Sequence, residues 1–281
     1  MPERRVKSAT TNVPTPVQDK ALHHLGQTRS SLHADHALLT PDSFVRAPLP
    51  GMERASAIVH TGPAIGAAFT QYTAEIEPGG ALGPTEAQRF LFVLEGKVQL
   101  EAPGGKHVLA KGGYAYLPAA EPSSVRAPEA ARIAVIEKVY QPLSGPPGAA
   151  QTDGKKGGPQ GIRKRDVLIG DESSMTPQAF MGDESLLVRA LLPDDPAFDF
   201  AVNTMTYQPG AALPMVESHI MEHGLLMLEG EGIYRLGDRW YPVVAGDFIW
   251  MAPYCLQWFG ALGKVPAKYL IYKPWNRHPL G

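Results

Sequence analysis

Short runs of alternating hydrophobic and polar residues dominate the chain, and long stripes at helical spacing are absent. Each run has the length of a β-strand, and Pro-Gly, Gly-Gly or Glu-Gly pairs separate the runs, as in hairpin and barrel folds. The pattern therefore predicts an all-β protein. The predicted strands are Phe69–Glu77, Arg89–Glu95, Lys97–Glu101, Ala131–Tyr140, Phe200–Tyr207, Gly224–Leu228, Ile233–Leu236 and Tyr269–Tyr272.

The pattern occurs twice. Leu94-Glu95-Gly96 matches Leu228-Glu229-Gly230 at an offset of 134 residues, and at the same offset Gly112 falls on Gly246. Upstream, a Pro-Gly pair ends one strand in each half. Three anchors in one order at nearly one spacing indicate an internal repeat. We expect the two halves to be the same β-barrel built twice.

Two polar stretches frame these barrels. Residues 1–35 are rich in Thr, Ser, Pro and Lys without a period, which is typical of a mobile arm. Residues 144–168 are rich in Gly, Pro and basic residues, which is typical of a linker. The predicted organisation is an arm over 1–35, a first barrel over 36–143, a linker over 144–168 and a second barrel over 169–281.

Composition and charge narrow the choice of partners. Of 281 residues, 44% are apolar and 19% charged, which is ordinary for a globular protein. A formal net charge of −2 gives no field that would gather nucleic acid or an anionic membrane, and no apolar run reaches membrane-spanning length. We therefore expect a small-molecule partner, no nucleic acid and no membrane.

Cys255 is the single cysteine, so an intrachain disulfide or a multi-cysteine zinc site is excluded. Without a matched histidine arrangement, a buried and inert thiol is expected. The first thirty-five residues contain no apolar run typical of a secretory signal. These features together predict a cytoplasmic protein.

Each half has a strand ending in Pro-Gly, a polar loop, an apolar strand into Glu-Gly, a second strand, and then a glycine followed by two spaced aromatic residues and a proline. This arrangement resembles the two motifs of the cupin superfamily. Two copies would make a bicupin, with two tandem double-stranded β-helix (jelly-roll) barrels. Because cupins bury sheet edges by association, the resemblance also implies a homo-oligomer.

The second half carries polar side chains where cupins hold a metal. Glu217 and His219 lie two apart, so on a strand both would face the barrel interior. His223 takes the place of the usual cupin glutamate, seven residues before Gly230, and Gln257 takes the place of the usual last histidine. Two imidazoles, a carboxylate and an amide oxygen suit Mn²⁺ or Fe²⁺, with Zn²⁺ and Ni²⁺ as alternatives. The competing interpretation is that these histidines are satisfied polar residues and that Glu217 is solvated on a loop.

The first half serves as an internal control. Counting from its own motif glycines gives Gly83, Thr85, Arg89 and Ser123 at the four ligand positions. None is a good metal ligand, so the first barrel is predicted to be metal-free.

Three further side chains are candidates for the same cavity. Tyr234 follows the first motif at a period-2 position, and Tyr269 and Lys273 lie four apart on the last long strand, hence on one face. A lysine inside an apolar barrel is costly unless it meets an anion. Lys273 is therefore either functional or outward-facing.

The combination of Glu-x-His-x-x-x-His, a later Gln, a first barrel without ligands and Tyr-x-x-x-Lys near the end resembles the (S)-ureidoglycine aminohydrolase family of bicupins. Supporting phrases are His36-Ala-Leu-Leu-Thr-Pro-Asp42, Glu222-His-Gly224 and Tyr272-Lys273, and the resemblance covers roughly residues 36–280. It implies a hydrolase acting on C–N bonds, which uses Mn²⁺ to convert (S)-ureidoglycine and water to (S)-ureidoglycolate and ammonia in purine (allantoin) breakdown.

The resemblance also implies roles for individual residues. The ligands would be Glu217, His219, His223 and Gln257, and the substrate would contact Tyr234, Tyr269 and Lys273. Glu217 and Lys273 would additionally move protons or meet the substrate carboxylate.

Two other functions remain open from the sequence. A metal-dependent dioxygenase or decarboxylase bicupin acting on a small organic acid would share the fold, but such enzymes usually carry three histidines and a glutamate, often in both halves. Gln257 and the first half count against it. A non-enzymatic ligand-binding cupin is the other alternative. No helix-turn-helix or basic patch accompanies the barrels, which disfavours a regulator of transcription.

Overall fold

The computed structural model describes residues 28–143 and 166–277, and β-strands form nearly all of their regular structure. The first half contains β1 (Ser31–Leu32), β2 (His36–Leu39), β3 (Glu53–Thr61), β4 (Thr70–Ala81), β5 (Gln88–Glu95), β6 (Lys97–Ala102), β7 (Gly105–Ala110), β8 (Gly113–Leu117), β9 (Ser124–Arg126) and β10 (Ala131–Lys138). The second half contains β11 (Leu168–Asp171), β12 (Gln178–Phe180), β13 (Asp183–Ala190), β14 (Phe200–Tyr207), β15 (His223–Glu229), β16 (Glu231–Leu236), β17 (Arg239–Val244), β18 (Phe248–Met251), β19 (Gln257–Ala261) and β20 (Ala267–Pro274).

The all-β prediction is confirmed. All eight predicted runs are strands, and Phe200–Tyr207 has the predicted bounds. The helical content of the described residues is three short 3₁₀ turns, Pro41–Ser43, Pro63–Ile65 and Glu172–Ser174. Within residues 28–143 and 166–277, no helix has the length and apolar character needed to span a membrane.

The strands form two barrels, as the internal repeat predicts. The first is one curled sheet in the order β11-β8-β5-β10-β4-β9-β6-β7, with β3 also paired to β4. In the second, the sheet β1-β2-β18-β15-β20-β14-β13-β12 is complemented by the sheet β17-β16-β19. All the strand pairs are antiparallel.

The two halves exchange strands at their ends. β2 pairs with β18 of the second half, Ala37 opposite Trp250, and β11 pairs with β8 of the first half. The first strand of the predicted first barrel thus lies in the sheet of the second. The pattern of alternation cannot specify this, because it sets which face of a strand is buried but not which edge the strand joins.

The predicted arm and linker fall largely outside the described residues, as far as residue 27 and over 144–165. Residues 28–35, at the end of the predicted arm, have defined structure: β1 pairs with β2, and Arg29 makes a bidentate contact with the buried Asp247 at 2.7 and 2.9 Å. Residues 166–168 lead directly into β11. The boundaries of the four segments stay a prediction.

Three buried clusters hold the fold together, one inside each barrel and one between them. Leu91 and Val93 of β5 face the interior of the first barrel, while Phe90 and Phe92 face the interface between the halves. This alternation explains why the middle of β5, residues 90–94, is a continuous apolar run, since a strand buried on both faces has no polar side. Cys255 lies in the cluster inside the second barrel and is 5% exposed.

The repeated glycines have one structural cause in both halves. Gly96 and Gly230, the glycines of the two Glu-Gly pairs, adopt φ of +72° and +70°. A Cβ at these positions would lie 2.2 Å from Ala130 O and 2.5 Å from Pro266 O, respectively. Only glycine fits where the backbones approach so closely in a left-handed conformation. The repeat therefore reflects the same turn built twice.

Candidate active site

Glu217 and Gln257 are adjacent on two antiparallel segments of the second barrel. Glu217 N donates to Gln257 O at 2.8 Å, and Gln257 N donates to Glu217 O at 2.9 Å. Directly opposed residues of an antiparallel pair place their side chains on the same face. Two of the four predicted ligands, forty positions apart in sequence, are thereby brought together.

His219 joins this pair from a loop. Apart from the bridge at Glu217, residues 214–222 form no strand, so the expectation that Glu217 and His219 share a strand face is wrong. Their side chains nevertheless converge: His219 Nε2 lies 3.2 Å from Glu217 Oε2. The loop is anchored by the hydrogen bond from Tyr254 N to His219 O at 2.6 Å. Convergence therefore comes from this anchor and not from strand periodicity.

His223 begins β15 and is buried beneath His219. Its ring centroid lies 5.3 Å from that of His219, at an interplanar angle of 70°. Burial, the largest cause, together with the neighbouring His219 and Lys273, lowers the pKa of His223 to about 3. The imidazole is therefore neutral at physiological pH, which is the form that binds metals.

The donor set fits a divalent metal. His223 Nδ1 is buried and has no hydrogen-bond partner among the described residues, which is unusual for a buried polar atom. Glu217 and His219 supply a carboxylate and a second imidazole, and Gln257 supplies an amide oxygen from the residue paired with Glu217. The ligand atoms of Glu217, His219 and His223 are not all within 4.8 Å of one another, so metal binding would draw these side chains closer together. Such a mixed N/O set suits a first-row divalent ion.

The two predicted tyrosines line the base of the site. Tyr234 Oη donates to Gln257 Oε1 at 3.3 Å, and Tyr269 Oη lies 2.7 Å from Tyr207 Oη. Burial raises the pKa of all three hydroxyls well above the usual value, so they stay protonated. Tyr207 did not emerge from the sequence. The sequence shows only that Tyr207 lies at the end of the predicted strand Phe200–Tyr207. The pairing of β14 with β20, which the sequence does not specify, brings it beside Tyr269.

Lys273 is partly buried and close enough to the site to interact electrostatically with Glu217 and His223. Its Nζ lies 4.3 Å from the centroid of the Trp275 ring, and Trp275 Nε1 donates to Asp194 Oδ1 at 2.7 Å. Burial lowers the pKa of Lys273, while the carboxylates of Glu217 and Asp194 raise it. The functional interpretation of Lys273 stays a prediction.

An ion pair occupies the equivalent place in the first barrel. Arg89, at the position of His223, contacts Glu137 with Nη2 and Oε1 2.6 Å apart and donates to Gly83 O at 3.0 Å. Tyr72 Oη also donates to Glu137 at 3.0 Å. A guanidinium has no lone pair to offer a metal. The first barrel thus holds a fixed side-chain cation where the second has its candidate ligands.

Both halves match known cupin families. Residues 65–140 match the EutQ-like cupin domain, and residues 203–272 match the Cupin domain family. Among solved structures, the protein Ylba from E. coli superposes with a TM-score of 0.74 at 28% identity, covering 90% of this chain and 96% of that one. The cupin expectation is therefore confirmed for each barrel.

Curated relatives share most of the chain. A probable (S)-ureidoglycine aminohydrolase of Oryza sativa subsp. japonica is 41% identical over 258 residues, which cover 91% of this chain and 78% of that protein. The (S)-ureidoglycine aminohydrolase of Arabidopsis thaliana is 40% identical, with coverage of 91% and 80%. The chain therefore belongs to the (S)-ureidoglycine aminohydrolase family and is built as a bicupin.

Proposed function

We propose that this protein hydrolyses (S)-ureidoglycine, releasing ammonia and (S)-ureidoglycolate, as a step of purine (allantoin) catabolism. The observation that carries the proposal is the convergence of Glu217, His219, His223 and Gln257 in one barrel of a chain whose curated relatives bear that enzyme's name. The cytoplasmic location and homo-oligomeric assembly expected from the sequence belong to the same proposal.

The four side chains would hold Mn²⁺, which as a hard ion accepts the mixed oxygen and imidazole donors. When bound, the metal supplies a Lewis acid and a template for the substrate. The neutral state of His223 supports this role, because a protonated imidazole has no free lone pair. Tyr234 would orient Gln257 by donating a hydrogen bond to its Oε1. That bond uses one lone pair of the oxygen and leaves the other free to bind the metal.

The remaining residues would bind and orient the substrate. Lys273, held over Trp275, presents an ammonium to the substrate carboxylate. Tyr269 has a hydroxyl that stays protonated and can donate to the ureido oxygen, while Tyr234, whose proton goes to Gln257 Oε1, can accept a hydrogen bond from a ureido N–H. Their burial keeps these hydroxyls away from bulk water, where competition would weaken their hydrogen bonds.

Glu217 would move the proton. In the balanced reaction a water oxygen replaces the amino nitrogen on the substrate carbon: the C–O bond forms, the C–N bond breaks and ammonia leaves. Glu217 takes a proton from the water and returns it to the departing amine, so no net proton is lost. Its contact with His219 keeps the carboxylate pointed into the site.

The test is incubation of Mn²⁺-loaded protein with freshly prepared ureidoglycine, following both ammonia and the chirality of the ureidoglycolate. We expect ammonia and (S)-ureidoglycolate in equal amounts. Absence of ammonia above the spontaneous rate, with turnover of a small organic acid under oxygen, would instead indicate the dioxygenase alternative.

A further inference from the structure

A second group of metal-binding side chains lies where the N-terminal segment docks on the second barrel. Within residues 28–143 and 166–277, Asp35, His36 and Cys255 are the one group of three His, Cys, Asp or Glu side chains whose ligating atoms all lie within 4.8 Å of one another. Asp35 Oδ1 is 2.8 Å from His36 Nδ1. His36 and Cys255 are 2% and 5% exposed, while the Asp35 side chain reaches solvent.

The fold brings the three residues together from distant parts of the chain. His36 pairs with Met251 across β2 and β18, and Ala252 N donates to Asp35 O at 2.9 Å. Cys255 follows in the loop between β18 and β19. Gly237 closes the group from the turn between β16 and β17, where a Cβ would lie 3.0 Å from Asp35 Oδ2. The absence of a side chain at Gly237 keeps space open beside the carboxylate.

We propose that Asp35, His36 and Cys255 bind a thiophilic divalent cation, Zn²⁺ in the first place, at a site separate from the candidate active site. Cysteine sulfur, histidine nitrogen and a carboxylate oxygen are the ligands that zinc takes in proteins, and three protein ligands leave a fourth position for water. A thiolate also selects zinc over Mn²⁺. Zinc bonds of about 2.0–2.3 Å hold ligand atoms roughly 3.2–3.8 Å apart. Asp35 Oδ1 and His36 Nδ1 are 2.8 Å apart and all the ligand atoms of the group lie within 4.8 Å of one another, so small side-chain movements would reach that spacing.

His36 has the outer partner that a ligating histidine needs. Its Nε2 lies 2.8 Å from Tyr241 Oη. With Nδ1 bound to a metal, Nε2 carries the proton and donates it to that hydroxyl, which fixes the tautomer and the ring orientation. Binding displaces the hydrogen bond between His36 and Asp35 and releases the thiol proton to solvent. The neighbouring basic side chains are His33 and Arg239, and Arg239 is exposed beside Asp238.

The two sites are distinct but structurally linked. His36, Met251 and His223 lie side by side on three adjacent strands, which separates His36 from His223 by roughly 10 Å. A cation at the second site would join β2, donated by the first half, to the loop that leads to Gln257. We therefore expect it to stabilise the strand exchange and the position of that loop.

Cobalt binding tests the proposal, because a cysteine ligand gives Co²⁺ a near-ultraviolet sulfur-to-metal charge-transfer band. Co²⁺ is titrated into the full chain, into a His219→Ala/His223→Ala variant that lacks both imidazoles of the candidate active site, and into Cys255→Ser. We expect the band in the wild type and in the His219→Ala/His223→Ala variant. Cys255→Ser should lose the band and should also bind one Co²⁺ ion fewer per chain than the wild type.

A milder variant covers the case in which Cys255→Ser fails to fold. Asp35→Asn changes a partly exposed side chain without changing its shape, and it should weaken Co²⁺ binding at this band by at least about tenfold. The absence of the band in the wild type at saturating Co²⁺, its persistence in Cys255→Ser, or unchanged affinity in Asp35→Asn would each overturn the proposal.

Discussion

The backbones of Glu217 and Gln257 are joined by two hydrogen bonds, of 2.8 and 2.9 Å, so the carboxylate and the amide stand side by side on one face. This pairing predicts that the Gln257 oxygen is a ligand and not a bystander. Gln257→Ala should weaken Mn²⁺ binding about 10–100-fold, as loss of a supporting metal contact does. Gln257→Glu keeps an oxygen donor at the same place and should retain most of the affinity. Equal Mn²⁺ affinity in wild type and Gln257→Ala, measured by titration calorimetry, would remove Gln257 from the ligand set.

Lys273 should act on substrate binding more than on turnover. Replacing it by Met removes a charge-assisted hydrogen bond, worth about 1.5–3 kcal/mol, and should raise KM by about 10–100-fold. Lys264→Met, which removes an exposed lysine of the preceding loop, is the matched control and should leave KM unchanged. The same KM in Lys273→Met and Lys264→Met would show that Lys273 does not contact the substrate.

Tyr207 should matter through Tyr269. The 2.7 Å contact between their hydroxyls fixes the direction in which Tyr269 donates. Tyr207→Phe should therefore raise KM, by less than Tyr269→Phe, and cost about 1 kcal/mol of stability for the lost hydrogen bond. In the double variant the two effects on KM should not add, because both act on one hydroxyl. Additive effects in this double-mutant cycle would contradict the coupling.

The Arg89–Glu137 ion pair should stabilise the first barrel at the place where the second barrel has its candidate metal ligands. Arg89→Met leaves the carboxylate of Glu137 partly buried without its cation and should cost about 3–5 kcal/mol of unfolding free energy. The double variant Arg89→Met/Glu137→Leu removes both charges and should recover much of that loss. Urea denaturation measures all three proteins, and their Mn²⁺ content should be the same. A double variant as unstable as Arg89→Met would show that the charges are not the cause.

His60 should make the fold sensitive to acid. It stacks on Phe248 at the interface of the halves, and burial, with a smaller contribution from Arg132, lowers its pKa to about 3. The unfolded chain binds a proton near pH 6.5 and the folded chain does not, so stability is full above 6.5 and falls as the pH drops toward 3. At pH 5 the loss is about 2 kcal/mol for one such histidine.

His60→Gln should flatten this dependence, and the difference in urea midpoint between pH 7 and pH 5 measures it. His223 has a similarly low pKa and should supply a second part of the acid sensitivity that remains in His60→Gln. A midpoint difference unchanged by His60→Gln would mean that His60 titrates normally in the folded protein.

The sequence predicts the strands and the repeat because both depend on local pattern. Phe200–Tyr207 alternates in a way that fixes a strand, and Gly96 and Gly230 mark a turn that only glycine permits. The exchange of β2 and β11 between the halves depends on which edges are free, and no local pattern encodes that choice.

The same limit explains what the sequence could and could not show of the site. Family spacing predicted Glu217, His219, His223 and Gln257 as the ligands, and the structure shows that Glu217 and His219 approach each other through a loop and not along a strand. Tyr207 and the group around Cys255 became visible only with strand pairing, because their partners are distant in sequence. Contacts set by register and loop anchoring are tertiary properties.

The most direct test of the proposed function compares wild type and Glu217→Ala in two measurements on the same Mn²⁺-treated samples, metal content and ammonia release from (S)-ureidoglycine. We predict that the wild type retains Mn²⁺ and releases ammonia. Glu217→Ala should lose most of the metal and slow by at least about 100-fold, the scale of a general acid–base contribution. Full metal content with undiminished ammonia release in Glu217→Ala would contradict the assignment of this residue and of the site built around it.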